Sequence, residues 1–255
     1  MTIGIVGVGN MGSIFAEKFS KEAERILLVE KDREKLSRFN AFPYEVADLE
    51  KVREADLIVL AVKPQDSHIA LSTLKGFDGI FLSIVAGLRI EEIRKYDIQK
   101  VARVMPNVAV RVGEGVLAAA FSTDMSLEER NLVKSLLEKL GFVVEIEEKL
   151  FSAITALTGS GPAFIFVMVE AFLDAALKMG IPFDTAKKLV YRLFRGSAEL
   201  LIETDEHPAL WKHRVSSPAG TTIEGLITME RFAVRSGVIE SLVSSYKRAL
   251  ELEEK

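Results

Sequence analysis

The sequence predicts an α/β fold, in which a doubly wound parallel sheet is followed by an all-helical C-terminal domain. Short apolar stretches alternate with helical patterns through the first half of the chain, as in sheets of this kind. From Glu147 onward only helical patterns follow. We therefore predict two domains, 1–147 and 148–255. Because no Pro/Gly/Ser-rich linker separates them, we expect them to pack firmly together.

A glycine fingerprint, Gly7-Val8-Gly9-Asn10-Met11-Gly12, lies between the first apolar stretch and a predicted helix. Gly7 allows a sharp turn, Gly9 leaves room for a pyrophosphate, and Gly12 lets the helix lie close to the strand. The unpaired N–H groups of the first helical turn face the negative charge of a ligand. Glycine clusters also form ordinary turns, but the strand–turn–helix setting favours a Rossmann-type, dinucleotide-binding first domain.

Composition excludes several other classes of function. The 255 residues carry a formal net charge of −4 without a block of basic residues, which argues against a nucleic-acid partner. There is no cysteine, and the three histidines are not at metal-ligand spacing, so no metal site is expected. No apolar run approaches the ~20 residues of a membrane span. The chain enters a strand at once, without a signal peptide, and we expect a cytoplasmic protein with no membrane partner.

Glu30 follows the second predicted strand, Arg25–Val29. Its distance from the glycines suits the acidic residue that binds the hydroxyl groups of the adenosine ribose. The alternatives are that Glu30 belongs to a solvated charged turn, or that Lys31 and Arg33 hold a 2′-phosphate. We therefore expect NAD(H) to be preferred and NADP(H) to remain possible.

Further apolar strands end at positions where a parallel sheet meets its ligand. The stretch Asp56–Ala61 runs into Val62-Lys63-Pro64-Gln65, although Lys63 alone would be interpreted as an exposed loop lysine. The stretch Gly79–Ile84 runs into Val85-Ala86-Gly87, whose small residues permit close approach. More strands are predicted at Val101–Val104, Gly115–Phe121 and Phe142–Ile146, and a capping box at Ser126–Glu129 opens a helix between the last two.

The second half of the chain consists of helical patterns at Leu150–Leu157, Pro162–Met179, Phe183–Ile202, Pro208–Val215, Ile223–Met229 and Ser236–Leu252. We expect Thr158-Gly159-Ser160-Gly161 to break the first two apart. The stretch Ala163–Leu177 is apolar almost all round, and such a helix must be buried on every side. A small domain cannot provide that cover alone, which indicates a partner subunit.

Small and hydroxylated residues surround a proline in Ser216-Ser217-Pro218-Ala219-Gly220-Thr221-Thr222-Ile223, just before a predicted helix. Several N–H and O–H donors converge there, which suits a carboxylate. A well-capped helix start is the alternative, and the residues alone favour neither.

These stretches together resemble the pyrroline-5-carboxylate reductase family over essentially the whole chain. The residues that carry the resemblance are Ile5–Gly12, Leu60–Gln65, Val104–Asn107, Gly159–Ala163 and Ser216–Ile223. The last stretch is the family's specific signature. It departs from the family in having Ala219 where the first of two glycines is usual, which costs little if the φ angle there is negative.

The resemblance implies hydride transfer from a nicotinamide to the C=N carbon of a cyclic imine carboxylate, giving L-proline. It implies cofactor contacts at Val6, Gly7, Gly9, Asn10, Met11, Glu30, Ala61, Val62, Lys63, Pro64 and Ala86. The last four residues of this list line the nicotinamide side. It implies substrate contacts at Ser217, Gly220, Thr221 and Thr222, with Thr222 also catalytic and Glu148 a weaker candidate. It also implies an interlocked homodimer, or a higher oligomer of dimers.

Two other classes of protein remain as alternatives. A hydroxyacid or imine dehydrogenase of similar build would need an acid–base lysine after the glycine turn, where Phe164–Val169 is purely apolar. A non-enzymatic dinucleotide-sensing protein would share the first half but would not need the donors of residues 216–222.

Overall fold

The structure is a computed structural model that describes residues 1–41 and 43–253. Its strands are β1 (Thr2–Val6), β2 (Arg25–Val29), β3 (Tyr44–Val46), β4 (Leu57–Leu60), β5 (Ile80–Ser83), β6 (Val101–Met105), β7 (Gly115–Phe121) and β8 (Gly141–Glu145). They form one sheet in the order β3-β2-β1-β4-β5-β6-β7-β8.

The α-helices are α1 (Asn10–Phe19), α2 (Arg33–Leu36), α3 (Ser67–Thr73), α4 (Ile90–Arg94), α5 (Leu127–Leu137), α6 (Phe151–Ile154), α7 (Gly161–Lys178), α8 (Phe183–Thr204), α9 (Pro208–Arg214), α10 (Thr221–Arg231) and α11 (Val234–Glu253). Short 3₁₀ helices lie at Lys51–Glu54, Pro64–Asp66, Val108–Val112 and Glu148–Leu150, and a π-helix lies at Thr155–Ser160.

The predicted fold class is confirmed, with one difference in strand direction. Strands β1 to β6 are mutually parallel, and every residue of β4, β5 and β6 is buried, as expected for strands covered on both faces. Strand β7 is antiparallel to β6, and β8 is parallel to β7. An apolar run carries no sign of its direction, so the reversal could not be predicted. The three-residue edge strand β3 was missed because it lacks such a run.

The predicted capping box lies at the start of α5. The Ser126 hydroxyl accepts the Glu129 N–H at 3.2 Å, and the Glu129 carboxylate accepts the Ser126 N–H at 2.8 Å. The hydrogen bond from the Lys100 ammonium, followed by that from the Ser126 backbone, holds the pKa of the Glu129 carboxyl below its usual value. These contacts fix where α5 begins.

The chain divides into two compact units, one comprising Met1–Gly159 and the chain from Ser245 onward, the other Ser160–Ser244. We call them the sheet unit and the helical unit. This division differs from the predicted boundary after residue 147, because the short helices that follow Glu147 pack with the sheet. The last part of α11 also belongs to the sheet unit. Residues 148–255 as a functional domain remain a prediction.

The expected break at residues 158–161 is wrong. The chain continues from α6 through the π-helix into α7 without leaving helical conformation. Gly159 lies within the π-helix and Gly161 begins α7, because a glycine lowers the stability of a helix without ending it.

The helical unit has almost no core of its own. Within residues 160–244, all of which the structure describes, the buried residues are Gly161, Ala176, Ala186 and Val190. On α7, by contrast, the side chains of Ile165, Phe166 and Val167 are 54%, 61% and 62% exposed. A patch of this kind is uncommon on a monomer and indicates an interface.

One helical stretch bears on the expectation that no apolar run approaches the ~20 residues of a membrane span, which still holds because Glu170 and Asp174 interrupt that stretch. The helical stretch Glu148–Lys178 is long and apolar enough, by length and composition alone, to cross a membrane. One such helix is weak evidence, because a helix buried between two protein chains passes the same test.

We expect Val167→Glu to weaken self-association. A carboxylate placed on this apolar face would have to lose its hydration when a second copy packs there, at a cost of several kcal/mol. Sedimentation velocity at micromolar concentration should show the wild-type protein as a dimer or larger and the variant shifted toward monomer. Lys21→Glu, on an exposed position of the sheet unit, is the control. A wild-type protein that sediments as a 28.2 kDa monomer would contradict the expectation.

Candidate active site

Each fingerprint glycine has a different physical role. Gly7 has a φ of 95°, and a Cβ there would lie 2.7 Å from the Ala61 carbonyl oxygen. A Cβ on Gly12 would collide with the Gly7 carbonyl oxygen, so α1 can approach β1 this closely only with glycine at that position. A Cβ on Gly9 would meet no atom within 4 Å. Gly7 and Gly12 are therefore required by the fold, whereas the space beside Gly9 is open to a ligand.

These glycines lie where the strand order reverses. Strand β1 pairs with β2 on one side and with β4 on the other. The connections that follow β1 and β4 therefore leave the carboxyl ends of these two strands in opposite directions. In open α/β sheets ligands bind in the crevice at such a point. The N–H groups of the first turn of α1 have no side-chain cap, since Gly9 occupies the N-cap position.

A cavity of about 390 Å³ opens at this crevice. It brings together seven of the residues expected at the cofactor, namely Val6, Gly7, Gly9, Glu30, Ala61, Val62 and Lys63. Asn10 and Met11 begin α1, Pro64 begins the following 3₁₀ helix, and Ala86 lies in the turn after β5; these four are not among its lining residues. Sequence reasoning missed Leu49, Asp66 and Ile69, which line the cavity from segments without a recognisable motif.

The Glu30 carboxylate is fixed at the edge of this cavity. One oxygen accepts the Val8 N–H at 2.8 Å and the other accepts the Asp32 N–H at 3.1 Å, and the side chain is 12% exposed. Glu30 therefore joins the glycine turn to the end of β2. Each carboxylate oxygen has a further lone pair that can accept a hydroxyl group.

The cationic side chains near Glu30 differ in whether they already form ion pairs with carboxylates. The Lys31 ammonium lies 3.2 Å from an Asp66 oxygen, and the Lys35 ammonium lies 3.8 Å from Glu30 and 3.6 Å from Asp32. Arg33 is exposed and has no ion-pair partner among residues 1–41 and 43–253. Lys31 and Lys35 are thus already paired with carboxylates, whereas Arg33 is not.

Glu148 has partners inside the sheet unit. Its Oε1 oxygen accepts the Ile90 N–H at 2.8 Å and one Arg103 N–H at 3.0 Å. The other four residues expected at the substrate lie in the helical unit. A substrate contact by Glu148 therefore remains a prediction, and the contacts that the structure gives this carboxylate are internal.

Ser217, Gly220, Thr221 and Thr222 lie together at the start of α10. The Ser217 carbonyl accepts the Gly220 N–H at 3.1 Å, which closes a turn through Pro218 and Ala219. Gly220 is the N-cap and supplies no side chain, so the first N–H groups of α10 are left for another acceptor. Within the described part of the chain, the three hydroxyl groups also have no hydrogen-bond partner. The arrangement can therefore bind a carboxylate.

Ala219 has a φ of 56°. Its methyl group was expected to cost little if φ were negative, and φ is positive. The turn from Ser217 to Gly220 has proline at its second position and a positive φ at its third. These are the features of a type II turn, which favours glycine at the third position. Gly220 differs, since its φ is −83° but a Cβ there would collide with the Ser217 hydroxyl. Position 219 therefore needs a left-handed backbone conformation, whereas position 220 needs the space that a Cβ would fill.

Among the residues that the structure describes, no group of three or more His, Cys, Asp or Glu side chains is placed to hold a metal ion.

Comparison with known proteins covers both halves of the chain. Residues 148–252 match a family model described as pyrroline-5-carboxylate reductase dimerisation, and residues 2–87 match one described as NADP oxidoreductase coenzyme F420-dependent. The pyrroline-5-carboxylate reductase of Aquifex aeolicus is 40% identical and that of Synechocystis sp. is 34% identical. Each alignment covers 99% of this chain, with 97% and 98% of the relative. The crystal structure of Plasmodium falciparum pyrroline carboxylate reductase with NADP bound is similar with a TM-score of 0.89 at 26% identity, covering 99% of this chain and 98% of that one.

We expect Ala219→Gly to stabilise the protein. A left-handed conformation costs a residue with a Cβ about 1–2 kcal/mol, and the greater freedom of glycine in the unfolded chain offsets part of the gain. The net increase in the free energy of unfolding should be about 0.5–1 kcal/mol, measured by urea denaturation at fixed protein concentration. The matched control, Gly220→Ala, should destabilise through its contact with Ser217. An unchanged or lower stability of Ala219→Gly would mean that the turn has another conformation.

Proposed function

This chain belongs to the pyrroline-5-carboxylate reductase family, and we infer from that membership that it reduces the C=N bond of 1-pyrroline-5-carboxylate to L-proline with NAD(P)H. The observation that carries the inference is the extent of the match, which includes both the cofactor cavity and the donor-rich start of α10. The direct test is to mix the protein with NADH and pyrroline-5-carboxylate and to follow nicotinamide absorbance. A protein that only senses dinucleotides would bind NADH without oxidising it.

The crevice fits a dinucleotide. The open space beside Gly9 can take a pyrophosphate, which the uncapped N–H groups of α1 would bind. The Glu30 carboxylate would accept hydrogen bonds from the adenosine ribose, and Val62, Lys63, Pro64 and Ala86 would lie along the nicotinamide. The bound cofactor supplies the hydride.

The substrate site is proposed at the start of α10. The N–H groups of Thr221 and Thr222, with the Ser217 and Thr221 hydroxyl groups, would hold the substrate carboxylate, whereas the Gly220 N–H, also expected there, is bonded to the Ser217 carbonyl. The Thr222 hydroxyl would contact the substrate nitrogen. Because a protonated imine is already electrophilic, the protein's main task is to hold the two reacting carbons in near-attack geometry. This explains why no acid–base dyad is needed.

The exposed apolar face of α7 supports assembly through the helical unit, which lies within the residues 148–252 that match the dimerisation family model. The protein is accordingly a homo-oligomer, and we propose a homodimer or an oligomer of dimers. We also propose a cytoplasmic location, in keeping with the small-molecule reaction.

Thr222→Ala should lower kcat by roughly tenfold or more, since a hydroxyl group beside the nitrogen matters most when the charge there changes in the transition state. The measurement is the steady-state rate with NADH saturating. Thr228→Ala, which removes an exposed threonine hydroxyl bonded to the Glu224 carbonyl on the same helix, should leave kcat unchanged. If Thr222→Ala keeps the wild-type kcat, Thr222 serves only the helix start.

The wild-type protein should have a higher kcat/KM with NADH than with NADPH, because the fixed Glu30 carboxylate repels a 2′-phosphate. Glu30→Gln retains an acceptor for the Val8 N–H but removes the charge. It should move the NADH:NADPH ratio of kcat/KM toward NADPH by roughly tenfold, the equivalent of about 1.4 kcal/mol. Glu34→Gln, an exposed change on α2, is the control. A wild-type preference for NADPH would refute the assignment.

A further inference from the structure

Arg103 is a buried cation in the middle of the sheet. It lies in β6, its side chain is only 2% exposed, and its guanidinium carbon is 4.4 Å from the centre of the Phe151 ring. Two carboxylates pair with it: Glu148 at 3.0 Å and Glu253 at 2.7 Å. They come from opposite ends of the helical part of the sequence, one just before α6 and the other at the end of α11. A buried guanidinium without such partners would be strongly destabilising.

The segments that carry the two carboxylates also contact the turn that follows β5, residues 84–89, or the residue directly after it. The Glu148 oxygen that binds Arg103 accepts the N–H of Ile90, the first residue of α4, at the far end of this turn. The Leu252 carbonyl oxygen, next to Glu253, would lie 3.3 Å from a Cβ on Gly87. The backbone of α11 therefore packs directly on the middle of the turn, where Gly87 has a φ of 79°.

We propose that Arg103 is a positioning residue for the turn 84–89, which it holds through Glu148 on one side and through Glu253 at the end of α11 on the other. The inference rests on the proposed function, in which Ala86 of this turn lies along the nicotinamide. The nicotinamide end of the cofactor site thus depends on the last turn of the last helix.

The adenosine end does not share these contacts. The part of the cavity around Glu30 is built by the ends of β1 and β2, and the lining of the cavity, which extends to Val62 and Lys63, includes neither Arg103 nor its two carboxylate partners. Loss of the Arg103 pairing should therefore weaken binding of a ligand that carries a nicotinamide and spare one that does not. A merely structural role would affect both ligands alike.

The test compares Glu253→Ala with Glu251→Ala. Glu251 lies on the same helical turn but pairs with Arg248 on the surface, where both side chains are more than half exposed. Dissociation constants for NADH and for ADP-ribose, which lacks the nicotinamide, are measured by calorimetry for each variant. Because the turn keeps its contact with Glu148 when Glu253 is lost, we expect a partial effect, in which NADH binds roughly tenfold more weakly to Glu253→Ala.

ADP-ribose should bind to Glu253→Ala as it does to the wild type, and Glu253→Gln, which keeps an acceptor for Arg103, should recover most of the NADH affinity. Glu251→Ala should leave both constants unchanged. Equal losses for the two ligands, or no loss for either, would overturn the proposal. Because these are binding constants, a wild-type protein that binds NADH but fails to reduce pyrroline-5-carboxylate would refute the proposed function alone.

Discussion

The constraint on which the assembly of this protein depends is that its helical unit cannot bury its own apolar surface. The buried residues of that unit are small or medium-sized, whereas the large side chains of α7 and α8, such as Phe166 and Leu189, remain more than half exposed in one chain. Each 100 Å² of apolar surface removed from water contributes about 2.5 kcal/mol. Burial of this surface against a second copy would therefore add substantially to the stability of the unit and would couple its folding to assembly. The same apolarity gives the stretch from Glu148 to Lys178 its resemblance to a membrane span.

The sheet unit has the opposite character. Its central strands are buried on both faces, and several of its glycines lie where neighbouring backbones approach closely, as Gly141 does beside Gly115. A scaffold of this kind leaves little freedom to the loops at the strand ends. Glu30 extends this order into the glycine turn by accepting the Val8 N–H. The crevice proposed to bind the cofactor is thus preformed in a single chain, whereas the helical unit, which includes Thr222, buries little of its own apolar surface.

Sequence reasoning succeeded where the signal is local. Seven of the eight strands, the capping box at Ser126 and the fingerprint turn are each specified by residues within a few positions of one another. It could not find the pairing of Arg103 with Glu148 and Glu253, because these residues are 45 and 150 positions apart. The available signal was a charged residue within an otherwise apolar strand, which indicates a buried partner but does not identify it. The partners of Glu148 were missed for the same reason, and the family resemblance indicated it only as a weaker candidate for a substrate contact.

The turn before α10 shows that a sequence pattern can combine two separate physical requirements. The family resemblance calls for two glycines after Pro218, yet this chain keeps only the second. At position 219 the requirement is conformational, and alanine satisfies it at a cost of about 1–2 kcal/mol in the left-handed region. At Gly220 the requirement is steric, because a Cβ would collide with the Ser217 hydroxyl that faces it. A collision with a hydroxyl group proposed to bind the substrate would disturb the site itself, whereas strain at residue 219 changes only the stability of the turn. Alanine therefore occurs at position 219, where it lowers the stability of the turn but does not change the geometry of the site.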